Sequence, residues 1–337
     1  MNADRFQAIT SRYPALRLAV VGDFCLDRYF DIDPARQEIS IETNLPVHNI
    51  MGVRCQPGGA GTILNNLAAL GIGELRPVGF CGDDGEGWEL RRALTALPGV
   101  KLDGFLTTPE RHTFTYTKPL LHFGNLPPAE LNRLDLKNWT ATSDELTAKL
   151  AAQMLKVVPE CHGTIVLDQV DKEGTGVVTR GLHHTLRDLT QCEPAPLIFA
   201  DSRRGLRGWP RVVFKMNAKE LGALTGAPVD SLEEIQQACA AMAKENGQPA
   251  FVTLAERGIV GALATGEVEY VLSHPVRGAI DIVGAGDSVT ANLTAALAAG
   301  ATLREAMELA MAAASIVIHQ LGTTGTADVT QLREILF

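Results

Sequence analysis

The heptapeptide Asp281-Ile282-Val283-Gly284-Ala285-Gly286-Asp287 is followed by an apolar, alanine-rich stretch, residues 288–299, closed by Gly300. Three small residues in a row let backbone N–H groups converge on an anion, and a helix start adds unpaired donors and a positive dipole end. Asp287, beside that cradle, carries a carboxylate able to take a proton from an attacking hydroxyl. A cradle and a base are the two parts that phosphoryl transfer needs. A glycine-rich strand-to-helix turn with a capping aspartate is the alternative reading.

Three more constellations lie upstream. Gln56-Pro57-Gly58-Gly59-Ala60-Gly61-Thr62 opens an amphipathic helix on glycines, where a ligand can approach the backbone because no Cβ intervenes. Tight helix–strand packing would leave the same pattern. Val20 to Asp27 reads as a first strand whose end carries Asp23 and Asp27, and ligands of open α/β sheets bind beyond such ends. Capping is the alternative for both aspartates. Asn217 closes another strand and Glu220 follows three residues later. That spacing can hold a hydrated Mg²⁺ near nucleotide phosphates, and it equally makes a capping box.

A rigid frame must position these groups. Apolar runs rich in Val, Ile and Leu at 18–22, 76–80, 164–167, 197–200, 212–216 and 250–254 predict the strands of a buried, mainly parallel sheet covered on both faces. Helices are predicted at about 59–70, 85–97, 143–156, 177–189, 218–224, 232–246, 285–299 and 303–319. Two regions break the alternation, 29–56 and about 111–121, where 112–116 reads as strand. The first holds β-favouring stretches at 38–43 and 46–51 without a helix between them, as antiparallel strands of a lid would; a long decorated loop is the alternative. One domain, 1–337, with a lid inserted at about 29–56 and 111–121, is the economical parse.

The net charge of −9 argues against broad nucleic-acid or anionic-membrane binding, so the expected partner is a small molecule. No apolar run reaches the roughly 18 to 20 residues that span a bilayer, and residues 1–14 are too polar for a secretory signal, which predicts a cytoplasmic protein. The six cysteines are scattered, without a Cys-x-x-Cys pair, and read as reduced thiols. His183 and His184, in a polar helical stretch, read as solvated surface.

Order and spacing give these signals weight together. Gly58-Gly59 at a helix start, Asn217-x-x-Glu220 and Gly284-Ala285-Gly286-Asp287 resemble the ribokinase (PfkB-type) carbohydrate kinases, and the resemblance covers nearly the whole chain. Neither a P-loop signature nor a Gly-x-Gly-x-x-Gly after a strand is present. The resemblance implies a ribokinase-like three-layer α/β/α sandwich with a mainly parallel central sheet and a small β lid that closes on the sugar. It implies an ATP-dependent kinase in which Asp287 is the catalytic base and Gly284, Ala285 and Gly286 form the anion hole. Asp27, Gly58 and Gly59 would contact the sugar, as would Thr62, which stands where the family usually has Asn. Asn217 and Glu220 would organise Mg²⁺ and phosphates through water. Thr253 and Gly258, with Gly284 and Gly286, would line the nucleotide site. The segment 312–325 is similar to one that borders adenine and a monovalent cation such as K⁺, with Asp281 as a candidate contact.

Within the family, 21–29, 57–60, 133–135 and 321–323 resemble the kinase domain that makes heptose bisphosphate. A sugar phosphate needs cationic partners, and Lys172, Arg203 and Arg204 follow strand ends, although solvated surface is the alternative for Arg204. Gln169 stands where heptose kinases tend to carry aspartate. Ile282 and Val283 replace frequent threonines, which a backbone anion hole should tolerate. No His-x-Gly-His signature occurs, so a fused nucleotidyltransferase is not expected in this chain. A non-catalytic nucleotide or sugar sensor and a nucleoside kinase are the alternative functions on such a fold. A homodimer through the lid edge is a further expectation.

Overall fold

Along the first strand, Arg17–Gly22, side chains alternate between two cores: Leu18 and Val20 enter one, Ala19 and Val21 the other. In the computed structural model, which describes residues 1–124, 126–226 and 229–337, this strand lies inside a nine-stranded sheet. The order is Val268–Val271, Ile259–Ala262, Ala250–Thr253, Val213–Asn217, Ile198–Ser202, Gly163–Asp168, Arg17–Gly22, Glu74–Gly82 and Phe105–Thr108. All pairings are parallel except the two that attach Ile259–Ala262 and Val268–Val271.

Helices Ala60–Ala69, Gly85–Thr95, Ala285–Ala298 and Leu303–Val317, with the terminal helices Ala3–Thr10 and Val329–Leu336, close one core. Asp144–Val157, Arg180–Leu189, Ala218–Thr225 and Leu232–Asn246 close the other. The three-layer α/β/α expectation therefore holds, and each predicted strand and helix is present with shifted ends. The helix predicted from 177 begins at Arg180, because the Val177 amide donates to Asp23 instead and Thr179 caps the helix at Leu182. The terminal helices and the short strands at both sheet edges were not expected.

The lid limits need correction. At Gly22, φ 152°, a Cβ would lie 2.2 Å from the Leu167 carbonyl oxygen, so the chain passes its neighbour closely before entering a second sheet. That sheet orders Leu134–Leu136, Phe114–Leu121, Phe24–Ile32 and Ile50–Gly59. It starts at Phe24, not residue 29, and gains Ala129–Glu130 and Leu134–Leu136 beyond residue 121. Phe24-Cys25-Leu26 reads as a continuation of the first strand, which hid the boundary. The strands expected at 38–43 and 46–51 shrink to the paired dipeptides Glu38–Ile39 and Pro46–Val47. His183 is also corrected: it is half-buried edge-on against Trp209, ring centroids 4.6 Å apart, while His184 is exposed.

Candidate active site

Gly284 caps helix Ala285–Ala298 with φ 83°, a left-handed conformation that favours glycine. A Cβ there would meet Thr324 at 3.4 Å and Thr62 at 3.5 Å, which brings the turn, the glycine-started helix and the C-terminal loop to one point. The Ala285 amide donates to the Ile282 carbonyl, 3.2 Å away, so Ala285 is spent on the turn itself. The neighbouring amides of Gly284, Gly286 and Asp287 find no acceptor among the described residues. They are the donors left for an anion.

Burial pushes the Asp287 carboxyl up to about 7, and the like charge of Asp201 adds to the rise. Lys215 and Arg203 pull it down, while Asp27 raises it further. Lys215 and Asp201 were not read from the sequence as site residues. Lys215 lies in the middle of strand Val213–Asn217 and its ammonium donates to Asp201 Oδ2 at 2.8 Å; Thr290 donates to the same oxygen at 3.1 Å. A strand residue with a buried lysine in an otherwise apolar run, Val213 to Met216, was the available signal.

On the opposite side, the lid strand Phe24–Ile32 pairs Asp27 with Gln56 and Tyr116. Asp27 is 6% exposed and its side chain has no hydrogen-bond partner among the described residues. Gly58 lies against it so closely that a Cβ would sit 2.8 Å from the Asp27 carboxyl carbon. Burial raises the Asp27 carboxyl, and Lys118 and then Arg133 oppose that rise. Lys118 also lies 5.0 Å from the centre of the Tyr29 ring, and Arg133 lies 5.0 Å from the Tyr116 ring. Arg133 is held by Asp135, whereas Lys118 has no acid partner within ion-pair distance among the described residues.

Asp23 takes the capping role: it is buried and accepts from the Gln169 and Val177 amides at 2.8 and 2.6 Å. Gly59, φ 57°, opens the helix Ala60–Ala69, where Thr62 is buried. Of the cations expected to meet a sugar phosphate, Lys172 is exposed and donates to the Trp139 carbonyl at 2.8 Å, and Arg204 is paired with buried Asp168 at 2.8 Å. Arg204 is thus engaged by a buried carboxylate, while one carbonyl acceptor leaves Lys172 two further ammonium hydrogens. Arg203 pairs loosely with Asp171, 3.3 Å away, and still acts on Asp287. Asn217 and Glu220 form the capping box, with the Glu220 amide donating to Asn217 Oδ1 at 2.9 Å and the Asn217 amide to Glu220 Oε2 at 2.8 Å. Burial raises the Glu220 carboxyl, against the hydrogen bonds from Asn217 that lower it.

A cleft of about 600 Å³ adjoins the Asp287 corner, bringing Asn217, Thr253, Gly258, Ala285 and Gly286 together with an apolar wall that includes Val289 and Met311. Asp281 sits at the rim, its amide donating to the Ile318 carbonyl at 2.8 Å and its carboxylate accepting from Val283 at 3.0 Å. Among the described residues no group of three acidic, histidine or cysteine side chains is set to hold a metal.

Fold and corner together define a ribokinase-like scaffold. Arabidopsis thaliana ribokinase, complexed with ribose and ATP, shares the fold with TM-score 0.67 at 20% identity, over 95% of this chain and 98% of that one. Escherichia coli phosphofructokinase-2, in complex with potassium, does so with TM-score 0.72 at 18% identity, over 95% and 98%. Residues 16–329 match the pfkB family carbohydrate kinase profile, and the chain belongs to that family. Its members are phosphotransferases that act on an alcohol group. The bifunctional protein HldE of Gluconacetobacter diazotrophicus is 31% identical over 324 residues, 95% of this chain and 63% of that protein. HldE of Gluconobacter oxydans is 27% identical over 321 residues, 95% and 64%. The chain thus spans a little under two thirds of the length of these relatives.

Proposed function

We propose that this chain transfers the γ-phosphate of ATP to a hydroxyl of a phosphorylated sugar, of the heptose-phosphate kind, with Asp287 as the base. One observation carries the reading: a carboxyl pushed up to about 7 stands next to unpaired amides at a helix start and across from Asp27 on the lid. Such a group can accept a proton near neutral pH, where an ordinary carboxylate is too weak a base. Asp27, with the backbone of Gly58 and Gly59 and the Thr62 side chain, receives the sugar hydroxyls. As the acceptor oxygen bonds to the γ-phosphorus, the bond to the β,γ-bridging oxygen breaks, the hydroxyl proton passes to Asp287 and ADP leaves. A loose transition state of this type asks mainly for positioning and charge stabilisation, which the Gly284, Gly286 and Asp287 amides supply.

The apolar wall of the cleft suits a purine, with Thr253 and Gly258 at its mouth. Asn217 and Glu220 would hold Mg²⁺ through water, where the ion would neutralise phosphate charge. Asp281 is the candidate contact for K⁺. The second sheet acts as a lid that keeps water from the γ-phosphate. Strand Ile50–Gly59 and the segment before it expose Ile41 (98%), Leu45, Ile50, Met51 and Val53, apolar side chains that support a homodimer through the lid. Six free cysteines and the absence of a long apolar helix among the described residues support a cytoplasmic setting.

ADP release across a panel of sugars, sugar phosphates and nucleosides tests the reading. Turnover on a sugar phosphate is expected. Turnover confined to nucleosides, or bound ATP with silence across the panel, overturns it.

A further inference from the structure

We propose that Gln56 is a positioning residue that clasps the lid to the anion cradle, so that acceptor and nucleotide bind cooperatively; the inference rests on the kinase reading and adds a coupling between its two halves. Gln56 stands opposite Asp27 in the antiparallel pairing of Ile50–Gly59 with Phe24–Ile32, so both side chains belong to one face of the lid. Tyr29, two residues beyond Asp27 on the same strand, shares that face. The Gln56 amide nitrogen donates to the Tyr29 hydroxyl at 3.2 Å and to Thr324 Oγ1 at 2.5 Å, and its oxygen accepts from the Thr323 hydroxyl at 2.9 Å. Both amide hydrogens are thereby spent, so the head group holds its neighbours and offers no donor to a sugar.

What the clasp grips is the loop after helix Leu303–Val317, 267 and 268 residues from Gln56 along the chain. That loop is stiffened from within: Gln320 donates to the Thr326 carbonyl at 2.7 Å and accepts from the Thr326 amide at 3.1 Å. It meets the cradle at two points. The Ile318 carbonyl accepts from the Asp281 amide at 2.8 Å, and Thr324, buried, packs where a Cβ at Gly284 would lie 3.4 Å from it. A lid drawn onto a sugar therefore pulls on Thr323 and Thr324, and Thr324 bears on the turn whose amides are left for an anion. The cost of ordering lid, loop and turn together falls on the first ligand, and the second binds to parts already in place. The lid has a separate attachment to the body, in which Arg28 ion-pairs with Glu86 and Glu89 of helix Gly85–Thr95 at 3.0 and 2.6 Å.

The test reads coupling between ligands, which a merely structural Gln56 would not alter. In the full chain, a nonhydrolysable ATP analogue is titrated calorimetrically with and without saturating heptose phosphate, for wild type, Gln56→Leu, Thr324→Val and Thr324→Ser. Thr324→Val removes only the hydroxyl and keeps the outline packed on Gly284, and the Arg28 attachment should hold the lid to the body when the clasp is cut. Wild type is expected to bind the analogue about tenfold tighter when the sugar phosphate is present, within the usual range for coupled sites. Gln56→Leu and Thr324→Val should bring that ratio to within about twofold of unity while each ligand alone binds within about threefold of wild type, and Thr324→Ser should keep most of the ratio. A ratio unchanged in both variants, a weakening of both ligands with the ratio kept, or a wild type without coupling overturns the clasp. Failure of the kinase reading is a different result: wild type would then release no ADP with any acceptor.

Discussion

Asp287 and Asp27 are carboxylates that act on each other across one site, yet their surroundings are built from different materials. Asp287 stands among backbone amides, with Asp201 adding like charge and Lys215 and Arg203 opposing it. Asp27 stands among lid side chains, with Lys118 and Arg133 opposing the effect of burial. Burial raises both, but only Asp287 is carried to about 7. Burial is the largest cause for both, and the neighbours then differ: like charge from Asp201 adds to it at Asp287, whereas the cations Lys118 and Arg133 are the next in line to oppose it at Asp27.

The sharpest way to break that division is Asp287→Asn. Turnover should fall by roughly three orders of magnitude or more, within the range for loss of a general base, while affinity for ATP stays nearly intact. ADP release and calorimetry measure the two quantities separately. Turnover that survived would strip Asp287 of its role. Next in size is Gly58→Ala, aimed at the other carboxylate. Its Cβ would lie 2.8 Å from both the Asp27 carboxyl carbon and Cys25 Sγ, so both must shift. A loss on the order of a hundredfold in kcat/KM for the sugar is expected, with ATP affinity unchanged.

The pH profile sharpens the contrast further. As the proposed base, Asp287 would work in its ionised form, so kcat/KM should climb as pH rises through about 7. Asp201→Asn removes a like charge and should move that limb to lower pH. Stability runs the opposite way. The folded value is raised above the usual 3.8, so what this group adds to stability is present below about 3.8 and is lost as pH rises through about 7. Urea midpoints for wild type and Asp287→Asn at pH 5 and pH 8 should show the wild type losing more between the two.

The two halves of the site also differ in how far the sequence revealed them. Gly284, Gly286 and Asp287 are contiguous, and a cradle made of backbone depends on small residues whose order can be read directly. Even there, the loss of Ala285's amide to the Ile282 carbonyl follows from turn geometry that no spacing displays. Lys118 and Arg133 reach Asp27 only because Phe114–Leu121 runs parallel to Phe24–Ile32 with Leu134–Leu136 outside it, a pairing across some ninety residues. Lys172 and Arg204 were expected there from their place after strand ends, and each meets a local acceptor, the Trp139 carbonyl and Asp168, that no spacing displays. The parallel sheet was legible because strands buried on both faces are apolar throughout; edge strands of four residues leave no such run.

Lys118→Met probes the lid half alone and should give the smallest effect. Lys118 lies on strand Phe114–Leu121, beside the Tyr29 hydroxyl at 3.4 Å, and has no acid held against it among the described residues. A cation kept unpaired in a half-buried place is available to an anionic substrate, and a charge-assisted hydrogen bond contributes roughly 1.5 to 3 kcal/mol. KM for a sugar phosphate should therefore rise about ten- to a hundredfold, with kcat and ATP affinity little changed, since nothing at the Asp287 corner has been touched. A KM that rose equally for a sugar lacking phosphate would assign Lys118 to holding Asp27 and the lid in place, and the contrast between a backbone-built corner and a cation-lined floor would lose its second half.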